Sequence, residues 1–128
     1  MAGGAAQPET RYARLGGDRI AYQVLGQGPP DLVFAVGCAA ALREELRGIG
    51  TQIRAGVHAG EVELRDGDVG GIAVHIAARV MAAADPGEVL VSRTVRDLVA
   101  GSDIVLQDRG SQHLKGVEGT WQLFAVGG

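Results

Sequence analysis

The sequence predicts a mixed α/β sandwich, and three observations carry that reading. Short runs such as "VLVS" (89–92) and "TWQLFAV" (120–126) have strand character, while "CAAALREELRG" (38–48) and "GGIAVHIAARVMAAA" (70–84) have helical length and spacing. The two kinds of segment alternate along the chain, which suits layered helices and strands better than a helical bundle or an all-β barrel. Gly and Pro punctuate the joints, and the 46% hydrophobic content supplies a core that, with 4% aromatic residues, is built from Val, Leu, Ile and Ala.

Each element follows in order. "DRIAYQVLG" (18–26) reads as a strand, "GQGPP" (26–30) as a turn, and "DLVFAVG" (31–37) as a short buried strand. The helix 38–48 places Arg and Glu toward solvent and stops at Gly48. "TQIRAGVHAGEVELR" (51–65) alternates as a long strand, kinked at Gly56 or Gly60. "DGD" (66–68) turns into the apolar helix 70–84. "DPGE" (85–88) turns into strand 89–92, and Ser92 or Thr94 caps a short helix that ends at Gly101. Strands 103–110 and 120–126 flank the loop "SQHLKGVEG", with Trp121 and Phe124 as core residues of the last strand.

Composition narrows the function classes. A net charge of −3 without a basic block argues against nucleic acid and against a membrane surface. "LVFAVGCAAAL" is about half the ~20 residues a membrane span needs, and "MAGGAAQPE" lacks a signal-peptide pattern, so a soluble cytoplasmic protein is expected. The single cysteine, Cys38, excludes an internal disulfide framework and reads as a small buried hydrophobe. Lys115 is the only lysine.

The segment 70–84 raises the question of chemistry. His75 and Arg79 sit four apart, on one helical face, in an otherwise apolar run. An arginine on a buried helix must meet an anion, because an unpaired buried charge costs several kcal/mol or more. An internal partner, Asp68 or Glu61, is the plain structural answer; a bound ligand is the other.

The wider spacing resembles the signature of the class III adenylate and guanylate cyclases: Asp, two residues, Gly, two residues, Val-Asn, one residue, Ala-Ala or Ala-Ser, Arg. Asp68, Gly71, Val74, Ala77, Ala78 and Arg79 match it in register, and "IRAGVHAGEVE", "PGEVLVSRTVRDLV" and "DRGSQHLKGVEGTWQLFAV" are similar to the flanking family segments. The resemblance covers about 43 to 126. It implies a ferredoxin-like cyclase domain that pairs with a second one, with active sites between them. In that family the ribose 3′-hydroxyl attacks the α-phosphate, helped by two divalent ions, Mg or Mn, held by two aspartates. By resemblance Asp68 is the base-selecting acid, Arg79 the transition-state arginine and Lys115 the phosphate lysine. His75 stands where the family has asparagine, and its imidazole can donate one hydrogen bond to a ribose oxygen.

The pattern also departs from the family. Neither an "F-x-D-I" strand nor a Lys…Gly-Asp hairpin is found to give the metal aspartates, so no metal ligand is assigned and Mg or Mn belongs only to a complete family site. Glu44 and Glu45, in a helical context, are expected to face solvent. Residues 10–37 resemble the first two strands of an α/β-hydrolase, but no G-x-S-x-G is present, and His58, His75 and His113 have no partner serine. His58 reads as a strand-end residue bonded to nearby backbone, and His113 as exposed.

The expected organisation is therefore a hydrolase-like leader, 1–37, and a partial cyclase domain, 38–128, making an incomplete ferredoxin-like fold with an N-terminal β-hairpin. "DLVFAVG" is expected to fill the place of the lost first strand. The expected function is a truncated cyclase homologue that binds ATP or GTP weakly and makes no cyclic nucleotide alone, as a homodimer or a heterodimer with a complete cyclase. The alternatives are a non-catalytic module that pairs with such a cyclase, and a remnant without function.

Overall fold

The computed structural model describes residues 11–15, 18–22, 29–60, 63–65, 68–70 and 72–127, with side chains at Val33, Ala35, 36–60 and 72–127. In chain order the elements are β1 (Arg11–Leu15), β2 (Asp18–Tyr22), α1 (Pro29–Gly48), β3 (Arg54–Val57), β4 (Glu63–Arg65), β5 (Asp68–Gly70), α2 (Ile72–Ala82), β6 (Glu88–Ser92), α3 (Arg93–Leu98), β7 (Leu106–His113) and β8 (Thr120–Val126). One sheet has the order β3-β6-β8-β7; β1 with β2 and β4 with β5 form separate antiparallel pairs.

β3 and β6 run parallel, while β6–β8 and β7–β8 are antiparallel. A parallel pair needs a long crossover, and the segment containing the β4–β5 hairpin and α2 supplies it. Side-chain alternation then sorts the core into two layers. Val89 and Val91 of β6, with Phe124 and Val126 of β8, pack with Val36 of α1 and with Val95 and Val99 of the α3 region. Leu90, Leu123 and Ala125 point the other way and pack with Ile76, Val80 and Ala84 on the α2 side and with Leu114. Helices thus cover both faces of the sheet, the α/β sandwich that alternating strand and helix signals predict. A hairpin precedes α1 at the N-terminal end, formed by β1 and β2.

Residues 31–37 are helical, not a strand: they lie inside α1, which opens on Pro29-Pro30. Proline has the backbone angle of a first helical turn and needs no amide donor there. Val33, Val36 and Ala40 then recur at helical spacing against the core, a period the short apolar run hides. Two expectations fall with the strand. The segment does not stand in for a lost first strand, and α1 crosses residue 37 unbroken, so the hydrolase-like leader loses its second strand.

Cys38 is exposed rather than buried, since it sits off the face that carries Val36 and Ala40. The long strand expected over 51–65 is two short ones, β3 and β4, with residues 61–62 outside the description. β7 runs on to His113, past a bulge between Asp108 and Ser111 where Gly110 takes φ 81°. No described helix is long and apolar enough to cross a membrane.

Candidate functional site

α2 is seated on β3 through glycine. A side chain at Gly56 would place its Cβ 2.4 Å from the Met81 backbone nitrogen and 2.9 Å from the Ala77 carbonyl oxygen, so the helix backbone lies directly on the strand. At Gly60 a Cβ would come 2.9 Å from that of Ala73, in the first turn of α2. These glycines are a docking surface, not the kinks that strand alternation suggests. Ala73, Ile76 and Val80 are buried beneath the helix, and Ile72 at its start is 64% exposed.

His75 and Arg79 are both half-buried on α2, one turn apart. The His75 ring lies against Gly116: a Cβ there would be 3.4 Å from its Nε2. Gly116 has φ 77°, and the Val117 amide donates to the Leu114 carbonyl at 3.0 Å. That combination is a β-turn of type II geometry, with Lys115 at its corner and glycine where φ is positive. Leu114 is buried and Val117 partly so, both within the α2-side core, while Lys115 is exposed. His75 and the Lys115 turn are therefore neighbours, brought together from residues about forty apart in sequence.

Arg79 differs from the other arginines whose side chains are described. Its Nε is buried and has no hydrogen-bond partner among the described residues. Asp68 begins β5, opposite Arg65 in the β4–β5 hairpin, and is described for its backbone only. Glu61 and Gly71 lie outside the described residues.

A second polar cluster stands behind the Lys115 turn. His58 Nδ1 and Ser92 Oγ are hydrogen-bonded at 2.7 Å, and the His58 ring meets Trp121 edge-on with centroids 5.7 Å apart. Burial pushes the His58 pKa below its usual 6.5. His58 thus bonds the Ser92 side chain, 34 residues away, and not the nearby backbone that the sequence led one to expect. Ser92 is the N-cap residue of α3 yet makes no side-chain cap bond. Its only hydroxyl is already engaged by His58. The Trp121 indole N–H donates to the Glu118 carbonyl at 3.0 Å, tying β8 to the far side of the Lys115 turn.

Elsewhere the charges serve the scaffold. Arg109 forks onto Glu88, with Nε to Oε2 at 2.6 Å and Nη2 to Oε1 at 3.1 Å, and reaches Asp85 at 3.3 Å. The Arg109 guanidinium holds the Glu88 carboxyl below its usual range. Arg43, 6% exposed, donates from Nη1 to the Val126 carbonyl at 2.7 Å and from Nε to Glu44 at 3.1 Å. Glu44 and Glu45 are exposed, as expected, and Glu44 is spent on Arg43 and Arg47. His113 is exposed; Phe124 is buried, and Trp121 is half-buried. Among the described residues no three His, Cys, Asp or Glu side chains converge.

One position escapes a search for a lysine-bearing hairpin. Leu15 pairs with Asp18 in the β1–β2 hairpin, and Gly16-Gly17 is the sequence between them, so a Gly-Asp pair does stand at a hairpin joint. Arginines, not lysine, precede it, and the Asp18 side chain is not among those described.

No protein-family model matches the chain. The Rhizobium meliloti (strain 1021) protein named "Putative adenylate cyclase 3" is 36% identical over 95 residues, which are 67% of this chain and 16% of that protein. Among solved structures, the adenylate/guanylate cyclase/hydrolase from Silicibacter pomeroyi superposes with a TM-score of 0.70 at 24% identity, over 91% of this chain and 72% of that one. The guanylate cyclase domain of RhGC from Catenaria anguillulae, solved with GTP, gives 0.72 at 22% identity, over 92% and 72%. A rhodopsin-guanylyl cyclase core of converted specificity, solved with ATPalphaS, gives 0.74 at 23%, over 92% and 71%. Each structural match reaches into residues 1–37. The chain therefore has the fold of the adenylate and guanylate cyclase domains, and is related in sequence to part of one such protein over about two-thirds of its length.

Proposed function

We propose that this chain is a nucleotide-binding half-site of the class III cyclase type, holding ATP or GTP weakly through Arg79 and Lys115 and making no cyclic nucleotide by itself. One observation carries the reading: α2 presents Arg79, with a buried Nε that has no partner among the described residues, one turn from a histidine that rests on the Lys115 turn. A helix clamped to the sheet at Gly56 holds that group in place. Support also comes from the ligands of the two guanylyl cyclase structures, GTP and ATPalphaS. In this reading Arg79 and Lys115 meet phosphate oxygens by charge-assisted bonds, His75 faces the ribose, and Asp68 selects the base.

The divalent ions of the class, Mg or Mn, need a cage of oxygen ligands. The described side chains do not fit one, because no three candidate donors converge and Glu44 is bound to arginines on the surface of α1. No step is routed through a metal here. The chain spans 16% of the curated relative and 72% of the guanylate cyclase domain. In this reading turnover belongs to a composite with an intact cyclase, as a heterodimer.

Titration calorimetry with ATP tests the half-site. Wild type is expected to bind weakly, and Lys115→Ala to lose roughly ten-fold or more, the worth of one charge-assisted bond. Equal affinity in the two proteins, or no binding in either, defeats the reading. The composite is tested by mixing the chain with a complete cyclase whose own transition-state arginine has been removed. Restored activity that disappears with Arg79→Ala supports catalysis across the interface. Binding without activity favours the non-catalytic module, and no binding leaves the remnant.

A further inference from the structure

The turn that carries Lys115 is held at three points, and only two of them follow from packing. Leu114 and Val117 drop into the α2-side core at either end of the turn. His75 lies against Gly116 at its corner. The third hold is polar and directional: the Trp121 indole N–H reaches back to the Glu118 carbonyl at 3.0 Å. Glu118 is exposed, so its carbonyl has water as an alternative partner and this bond is not needed to satisfy a buried group. Its consequence is geometric. It closes the exit of the turn onto β8, and the indole is itself fixed from behind by the edge-on ring of His58, which Ser92 holds in turn.

We propose that Trp121 is a positioning residue for phosphate at Lys115, fixing the 114–118 turn through the Glu118 carbonyl, with His58 and Ser92 as its support. The inference rests on the half-site reading, in which Lys115 takes phosphate. Trp121 touches no ligand in this arrangement; it acts through the backbone of the turn. Because it is the only tryptophan in the chain, it also reports on that turn.

The test uses inorganic triphosphate as the probe, with calorimetry, thermal melts and tryptophan emission on the same proteins. Lys115→Ala against wild type establishes whether the turn takes phosphate at all. Trp121→Phe keeps a ring in place and removes the N–H. Its affinity for triphosphate is expected to fall about five-fold, the equivalent of one ordinary hydrogen bond, at a melting temperature within a few degrees of wild type. In wild type, triphosphate is expected to shift or quench the Trp121 emission, a readout that needs no substitution and so survives a variant that fails to fold. Binding that needs Lys115, leaves emission unchanged and is equal in Trp121→Phe overturns the positioning role while the half-site stands. Binding that ignores Lys115, or no binding, removes the half-site and this inference with it.

Discussion

The two faces of the sheet are covered by helices that do different work. On one side α1 and α3 lie over Val89, Val91, Phe124 and Val126, and the arginine that enters this layer, Arg43, is satisfied by the Val126 carbonyl and by Glu44. Gly37, in the middle of α1, has nothing within 4 Å of where a Cβ would stand. On the other side α2 rests backbone to backbone on Gly56, and its arginine keeps a buried Nε without a described partner. One arginine completes a scaffold; the other is positioned by a scaffold and has, at its Nε, no hydrogen-bond partner among the described residues. In the half-site reading proposed above, this tightly seated helix holds its arginine for a ligand.

Substitutions can break this contrast, and the largest effect is expected at the seat. Gly56→Ala must push Met81 backbone atoms, which cannot rotate away, and should destabilise the fold by about 3 kcal/mol or more. Chemical denaturation measures it, and a loss below 1 kcal/mol would mean that α2 can slide. The arginines come next. Arg43→Met leaves the Val126 carbonyl buried without its donor and should cost about 2–3 kcal/mol. Arg79→Met should change stability by less than about 1 kcal/mol while weakening ATP binding. Equal destabilisation by both would erase the distinction between the two faces.

Those expectations show how much was readable in the residues alone. The strands β6 and β8 were legible because each is a short apolar run bounded by turn residues, and the α2 segment because its apolar run is long enough to exclude a strand. His75, Arg79 and Lys115 stand out only through a resemblance; what the structure adds is that His75 lies against the Lys115 turn. Residues 31–37 were misread because the short apolar run Leu32–Val36 fits either period, and the Pro29-Pro30 that opens the helix looked like part of a turn. The role of Gly56 was hidden, since a strand glycine signals close approach without saying what approaches. Ser92 was rightly placed at a helix start, but its hydroxyl goes to His58, a partner 34 residues away that no local rule supplies. Trp121 read as plain core because its polar edge has no sequence signature.

A smaller and pH-graded effect is expected from the cluster behind the turn. Burial lowers the His58 pKa, so the unfolded chain takes up a proton at higher pH than the fold does. The neutral-histidine contribution is complete above the unfolded value of about 6.5 and is lost as pH falls from there to the lowered folded value. Denaturation midpoints measured from pH 8 to pH 5 should decline in wild type and flatten in His58→Asn. A wild-type profile that stays level across this range would contradict the buried, neutral imidazole. The smallest effect belongs to the open face: Gly37→Ala should stabilise by about 0.4–1 kcal/mol, since the helix gains from alanine and nothing stands in its way. Opposite signs for Gly37→Ala and Gly56→Ala would sharpen the contrast between the two faces more directly than any single variant.

The turn at Leu114–Val117 has a consequence for how any anion would be met. Lysine side chains on loose loops lose backbone freedom when they bind, at about 1–2 kcal/mol for each residue that becomes ordered. Here that ordering takes place during folding, through the Val117 amide on the Leu114 carbonyl, the packing of Leu114 and Val117 on the α2-side core, and the Trp121 bond to the Glu118 carbonyl. What Lys115 has left to give up is the torsional freedom of its own four-carbon stem. An arriving phosphate would therefore meet a fixed anchor with a mobile tip: tolerant of where the negative charge sits within the reach of that stem, and unable to draw the turn toward a ligand that stops short of it.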